Sequence, residues 1–495
     1  MGTNGTPSDA PSPVAREGSL ALRNALKLAA SLILTWSVAL IVAFKLPNYL
    51  GADRFGEYGA AQYWSLTLAV FVGFGVDTYI QREIPVRPEH ASEFFLGVTL
   101  LRLLASVPLF AIGAFVTRAD STHLRIAAAL FGLAQIFVTF NETFAKMLQA
   151  SSKVGGLAVS NVLAKLLWGG GTFVLVALKV SLPVLVIPFL ASELLKTGFL
   201  FLATKGALNL DLRVDTKVTR AVLVESVPFF VATAAVSLGN VLDVTTLNLL
   251  HTPKNEIGFY TSAKQIANLS ALLSPIVSGV LIPMMRRAKE RSSDEFYGIL
   301  RRCLEGVIVI AVPGTLLLAL GADFWLKLAL RPEFQPAAAS LRYLAPTFVF
   351  AYGNVLLWLA LMIEGRSWTI TVASVAGVIA LPIFVMIAVP LTRQFGAGSA
   401  GMGAAMALSL RELLLIVAFF YLLGRRAVDT RSISAFVRSL AICVAVTAMH
   451  VALARLGPLR LAVDAVVYVV LGLALRVFRI SDGLMVLRLV KNRGR

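Results

Sequence analysis

Tyr260, Lys264 and Asn268 stand four residues apart, so a helix through them carries all three on one face. Lys264 lies within an otherwise apolar run, where its ammonium would draw an anionic group as a point charge. The apolar run before it carries Asn240, Asp243 and Thr246, spaced by three. A charge within such a run costs about 2.5–3.5 kcal/mol on insertion scales, so it faces a cavity or a partner. Asp243 is therefore expected either to pair with Lys264 or, with Asn240, to hold a coupling H+ or Na+. Arg102, Lys165 and Arg411 also fall inside apolar runs, with Glu412 directly beside Arg411. Arg23 and Lys27 share a face with Ser31 and Thr35 near the start of the first run. Lys264, Arg411, Asn268, Arg102, Lys165, Arg23 and Lys27 are the candidate substrate-binding set. The competing reading for the long cations is that their stems lie in lipid while the charges reach the interface. Glu142 and Lys146, at i and i+4, read as a pair neutralised within one helix, and Asn354 is a lesser candidate.

No catalytic constellation accompanies these residues. The chain has no G-x-x-x-x-G-K-[ST] loop, so ATP hydrolysis is not expected. His90, His123, His251 and His450 are scattered without metal-ligand spacing. Ala397-Gly398-Ser399-Ala400-Gly401 lacks the first glycine of a nucleophile elbow. Neither a catalytic residue, a metal nor a bound cofactor is expected, and the protein reads as a non-enzyme.

The elements that must position the polar residues follow from composition. The 495 residues are 58% hydrophobic and 15% charged, far from a soluble chain. Apolar runs of about twenty residues recur throughout, each long enough to cross a hydrocarbon layer of about 30 Å as a helix. Barrel strands would instead alternate over short segments. The fold class is thus an all-α polytopic membrane protein of about fourteen transmembrane helices. The net charge of +18 is the excess of Lys and Arg that cytoplasmic connections carry, not a nucleic-acid surface. Basic clusters at 205–220, 286–302, 425–438 and 476–495 place both termini in the cytoplasm. Cys303 and Cys443 lie in or beside apolar segments and give no disulfide framework.

The first apolar run starts only near residue 26, so 1–20 reads as a disordered cytoplasmic tail rather than a cleaved leader. The N-lobe, 21–203, holds spans one to six, and a cytoplasmic linker follows at 204–223. The C-lobe, 224–424, holds spans seven to twelve. Spans thirteen and fourteen occupy 425–480, and 481–495 is a basic cytoplasmic tail. The two lobes echo one another. Phe55-Gly56-Glu57-Tyr58-Gly59-Ala60-Ala61-Gln62 has a counterpart in Ile257-Gly258-Phe259-Tyr260-Thr261-Ser262-Ala263-Lys264. Met147-Leu148-Gln149-Ala150 matches Met362-Ile363-Glu364-Gly365 in the same order. Repeats of this kind mark secondary transporters, which bind substrate between the halves.

With these motifs in place, the chain resembles the polysaccharide (O-antigen, Wzx-type) flippases of the multidrug/oligosaccharidyl-lipid/polysaccharide (MOP) exporter superfamily. The resemblance rests on Tyr49-Leu50-Gly51-Ala52-Asp53-Arg54-Phe55-Gly56-Glu57-Tyr58 and Phe74-Gly75-Val76-Asp77-Thr78-Tyr79-Ile80-Gln81-Arg82-Glu83. Asp243 with the second-half motif through Gln265 completes it, and the likeness covers about residues 20–425. It implies two six-helix lobes plus two C-terminal helices, with alternating access to a central cavity. It further implies a polyprenyl-diphosphate-linked oligosaccharide as substrate, moved to the outer leaflet of a bacterial or archaeal plasma membrane. The implied partners are that substrate, membrane lipids and the polysaccharide assembly machinery, with no nucleic acid. The alternative is a cation-coupled multidrug exporter of the same fold. An intramembrane glycan polymerase or ligase is disfavoured by the short outer loops. Lys264 and Arg411 favour an anionic cargo over a cationic drug.

Overall fold

The structure is a computed structural model, and it describes residues 13–151, 153–211, 213–269 and 274–477. Side chains at 13–33, 88, 119, 274–280 and 283 are not among those described. The tail at 481–495 and the side chains of Arg23 and Lys27 therefore lie outside the described residues. Of the expected tail 1–20, only the helical backbone from Pro13 onward is within them.

In lipid every backbone donor and acceptor must be met internally, and the described residues answer with helices and no strand. In chain order these are α1 (Pro13–Ala69), α2 (Val76–Glu83), α3 (Ala91–Val116), α4 (Thr122–Ala150), α5 (Gly155–Ala177), α6 (Ile187–Leu208), α7 (Thr216–Gly239), α8 (Leu242–Leu249) and α9 (Lys254–Asn268). They continue as α10 (Ser274–Arg291), α11 (Ser293–Leu320), α12 (Ala322–Ala329), α13 (Ala337–Leu344), α14 (Thr347–Ile363), α15 (Ser367–Thr392), α16 (Ser399–Leu423), α17 (Thr430–Ala452) and α18 (Arg460–Ala474). The chain is a multi-pass membrane protein. Among the described residues eleven helical stretches are long and apolar enough to span, or twelve with one pair bent by 51°. The expected fourteen is not reached, for two local reasons. The first two expected spans merge in α1, which is non-helical only at Gly51. The eighth is divided between α9 and α10 around residues outside the described set.

The chain forms two compact units. The first holds residues up to Lys45 and Leu68–Phe230, and the second holds Leu46–Thr67 and the chain from Val231. The expected lobes follow the sequence repeat, whereas these units follow contacts. They differ in that residues 46–67 pack with the second unit and most of α7 with the first. In the first unit α4 packs on α3 and α6, and α5 on α6. Its core is built on Ile80, Phe94, Met147, Leu148 and Leu200. In the second unit α14 packs on α11 and α16, and α15 on α16, the same pattern one repeat later. That core centres on Met285, Phe296, Leu357 and Leu361. Helices α17 and α18 pack on each other and on α11 through Leu316, Ile442, Val446 and Tyr468. Outward faces carry exposed Leu104, Val107, Leu202, Ile387 and Val470, as lipid-facing helices do.

The first echo has a packing purpose. A methyl group at Gly56 would lie 1.7 Å from the Lys254 carbonyl oxygen, and one at Gly258 would lie 2.0 Å from that of Ala52. The two repeat copies thus meet backbone to backbone within the second unit, each glycine admitting the other's helix. Small residues permit this approach in membrane helices. Gly258→Ala is expected to cost about 1–3 kcal/mol because backbone must move apart. Gly170→Ala, where the added methyl meets nothing within 4 Å, should leave stability unchanged or raise it by about 0.5–1 kcal/mol. Thermal unfolding of both variants in detergent checks the contrast.

Candidate functional site

The seventh span, expected at 224–248, breaks. Helix α7 ends at Gly239, the backbone turns through Asn240 and Val241, and α8 begins at Leu242. The break frees the Asn240 carbonyl, and Lys264 from α9 takes it at 2.8 Å. The same ammonium lies 2.8 Å from Oδ1 and 2.7 Å from Oδ2 of Asp243. Tyr260 donates its hydroxyl to Oδ2 at 2.5 Å, and the Val244 amide donates to Oδ1 at 2.8 Å. The Tyr63 ring covers Nζ at 4.7 Å. Asp243 and Tyr260 are 0% exposed and Lys264 5%. A buried carboxylate with this many donors is electrostatically satisfied, and neither charge of the pair is free. Asn268, on the same helical face by spacing, is exposed instead. The Asn240 side chain is exposed as well.

Arg411 on α16 is also buried and also compensated. It pairs with Glu412, while its Nε has no partner among the described residues. Room for the guanidinium comes from glycines. An added methyl at Gly239 would sit 2.2 Å from Nη2, and one at Gly377 3.4 Å from Nε. Because Gly239 adjoins Asn240, the second unit holds one polar tract running from Glu412 through Arg411 to Lys264 and Asp243.

The first unit has its own charged centre. Arg102, 1% exposed, donates to Thr143 Oγ1 at 2.5 Å and to the Gly73 carbonyl at 2.6 Å, with Asp77 at 3.6 Å. Here too a helix breaks, since Phe74 and Gly75 both have positive φ between α1 and α2. Left-handed backbone at a phenylalanine is strained. The guanidinium takes up the carbonyl that the break would otherwise leave unpaired. Thr143 in turn donates to Asp77 at 2.7 Å. Lys165 is half-buried on α5, its Nζ 4.2 Å over the Trp168 ring.

Asn354, a lesser candidate by sequence, belongs to a repeated pairing that the spacing does not show. Asn141 on α4 donates to both the carbonyl and the carboxylate of Glu193 on α6, at 3.0 and 2.9 Å. Asn354 on α14 does the same to Glu412 on α16, at 3.0 and 2.7 Å. Both amide oxygens are buried without a partner among the described residues. Each unit thus clamps the fourth helix of its repeat to the sixth by one asparagine. The two asparagines stand at different distances from their echo motifs, so a fixed-period search passes over them.

Residues 21–289 match the family model described as polysaccharide biosynthesis protein. No curated protein matches in sequence. Among solved structures, the chain is similar to the lipid II flippase MurJ in an inward closed conformation. That match has TM-score 0.70 and 13% identity, covering 91% of this chain and 98% of that one. It is also similar to an inward-facing multidrug resistance MATE family transporter of the MOP superfamily, with TM-score 0.59 and 15% identity. Coverage there is 80% of this chain and 98% of that one. A MOP superfamily transporter from Pyrococcus furiosus gives TM-score 0.58 and 14% identity, over 82% and 95% of the two chains. The fold is that of the MOP-superfamily flippases and transporters.

Removing one member of the Asp243–Lys264 pair strands a buried charge. Asp243→Asn or Lys264→Met alone should destabilise the protein by about 3–5 kcal/mol, and the double variant by much less than their sum. Unfolding of the purified variants in detergent reads this cycle, and strictly additive losses would refute the coupling.

Proposed function

This chain belongs to the polysaccharide biosynthesis protein family, and from that membership we propose that it is a flippase for a polyprenyl-diphosphate-linked oligosaccharide. It moves this cargo from the cytoplasmic to the outer leaflet by alternating access, for a surface polysaccharide such as the O-antigen of lipopolysaccharide. The observation that carries the reading is the family match over residues 21–289 in a chain with a MOP transporter fold. No covalent bond is made or broken, in keeping with non-enzyme transport. The protein works in the cell inner membrane with both termini cytoplasmic, as the basic connections favour.

The physics of the step suits an anion. A polar glycan head cannot cross hydrocarbon unaided, and a charged diphosphate still less. An anion moving outward across an inside-negative membrane gains about 2.3 kcal/mol per charge per 100 mV. The membrane potential can therefore drive export without ATP. Since Lys264 and Arg411 are each neutralised by a carboxylate, their contribution is to shape polar passages rather than to supply free positive charge. Attraction of the diphosphate then falls to Lys165, Arg23 and Lys27, with Asn268 beside the path, while Arg102, balanced by Asp77, shapes the passage as Lys264 and Arg411 do. Asp243 and Asn240, at the broken helix, are the coupling site for H+ or Na+ in this scheme, their exchange competing with the Lys264 ammonium.

Two measurements test the reading. Deleting the gene should leave an undecaprenyl-linked glycan on the cytoplasmic side, whereas intact surface polysaccharide with drug hypersensitivity would point to a multidrug exporter instead. In liposomes, flipping of a labelled polyprenyl-diphosphate glycan by purified protein should accelerate as the imposed potential drives anions in the export direction. A rate indifferent to potential and to both ion gradients would sink the coupling scheme.

A further inference from the structure

In the second unit a pocket of about 290 Å³ is lined by Ala319, Leu320, Asp323, Arg342, His450 and Arg460. These residues come from the end of α11, from α12 and α13, from the last turn of α17 and from the first residue of α18. We propose that this pocket is a binding site for a phosphate group, separate from the transported cargo.

Two guanidinium groups and a histidine ring converge on it from three helices. Arg460 is half-buried, and among the described residues it has no ion pair or hydrogen bond. A guanidinium drawn partly out of water without a partner is costly, and an anionic oxygen is the ligand that offsets the cost. Arg342 is tethered by Asp323, which fixes its planar fork while leaving further N–H groups for a ligand. His450 is 5% exposed, and its Nδ1 lies 2.5 Å from Oδ2 of the fully buried Asp464. That bond commits Nδ1 and orients the ring, so contact with an occupant runs through Nε2. The other oxygen of Asp464 has no partner, so among the described residues its side chain is devoted to the histidine.

The frame behind these donors is firm. Ser439 and Tyr468 are hydrogen-bonded at 2.6 Å across α17 and α18, and Ile442 and Val446 pack with Leu316 of α11. Size selects the ligand. A volume of about 290 Å³ is near the lower limit for small-molecule sites, enough for a phosphate with a short substituent. A phospholipid headgroup and free phosphate present the same chemistry.

Full-length protein would be purified in neutral detergent and unfolded thermally against inorganic phosphate, with chloride at matched ionic strength as reference. In parallel, nanodiscs of phosphatidylcholine with and without phosphatidylglycerol would be compared, with native mass spectrometry counting retained lipids. Phosphate or phosphatidylglycerol should stabilise the wild type. The apparent affinity should fall about tenfold in Arg460→Gln and in Arg342→Gln, while Arg455→Gln, an exposed arginine that does not line the pocket, binds as wild type. Stabilisation by the lipid alone identifies a headgroup, and by phosphate alone a soluble ligand. No stabilisation in either arm, or equal stabilisation of wild type and both pocket variants, overturns the proposal. If Arg460→Gln does not fold, Arg342→Gln, which alters an exposed side chain, still decides it.

Discussion

Hydrocarbon supplies neither hydrogen-bond donors nor acceptors, and each feature of the polar interior is a response to that lack. Where α7 stops at Gly239, a carbonyl loses its helical partner, and Lys264 fills the vacancy. Where α1 and α2 part at Gly73–Gly75, Arg102 does the same. In both places a long cation substitutes for a missing turn of helix, and an aspartate balances the charge it brings. The breaks and the buried charges are therefore one phenomenon. A cation is tolerated at these depths because the backbone needs it, and the backbone can break there because the cation is present.

This coupling bears on transport. Broken helices in membrane transporters are where ions and substrates are bound, since irregular backbone exposes carbonyls and amides. Here each unit has a break of this kind, at Gly73–Gly75 and at Asn240–Val241, and each is locked by side chains of its own unit. A ligand that competes for Lys264 or Arg102 would release a carbonyl and a carboxylate together, which links occupancy to local backbone geometry. The asparagine clamps on Glu193 and Glu412 act differently. They tie the fourth helix of each repeat to the sixth.

Much of the architecture was legible before the structure. The apolar runs gave an all-helical membrane fold because length and hydropathy alone decide what can span a bilayer. The Gly56 and Gly258 motifs announced the repeat because close backbone approach tolerates only small residues. The pairing of Asp243 with Lys264 stood among the readings because two opposite charges in adjacent apolar runs are cheaper together than apart. The number of spans was less legible. Hydropathy registers runs of residues, whereas α1 continues through a connection and part of the eighth span lies outside the described residues.

The sequence by itself determined the class of protein, the repeat and the residues for which burial would be expensive, since those follow from composition and periodicity. Only the tertiary structure decided which charges remain free. Lys264 and Arg411 read as cations available to an anion, yet each meets a carboxylate, one across two helices and one from its chain neighbour oriented by Asn354. It also decided that Asn268 is exposed while Tyr260 and Lys264 on the same helical face are buried. Helical spacing fixes which residues share a face. What that face meets depends on the packing of helices distant in sequence, and spacing carries no information about it.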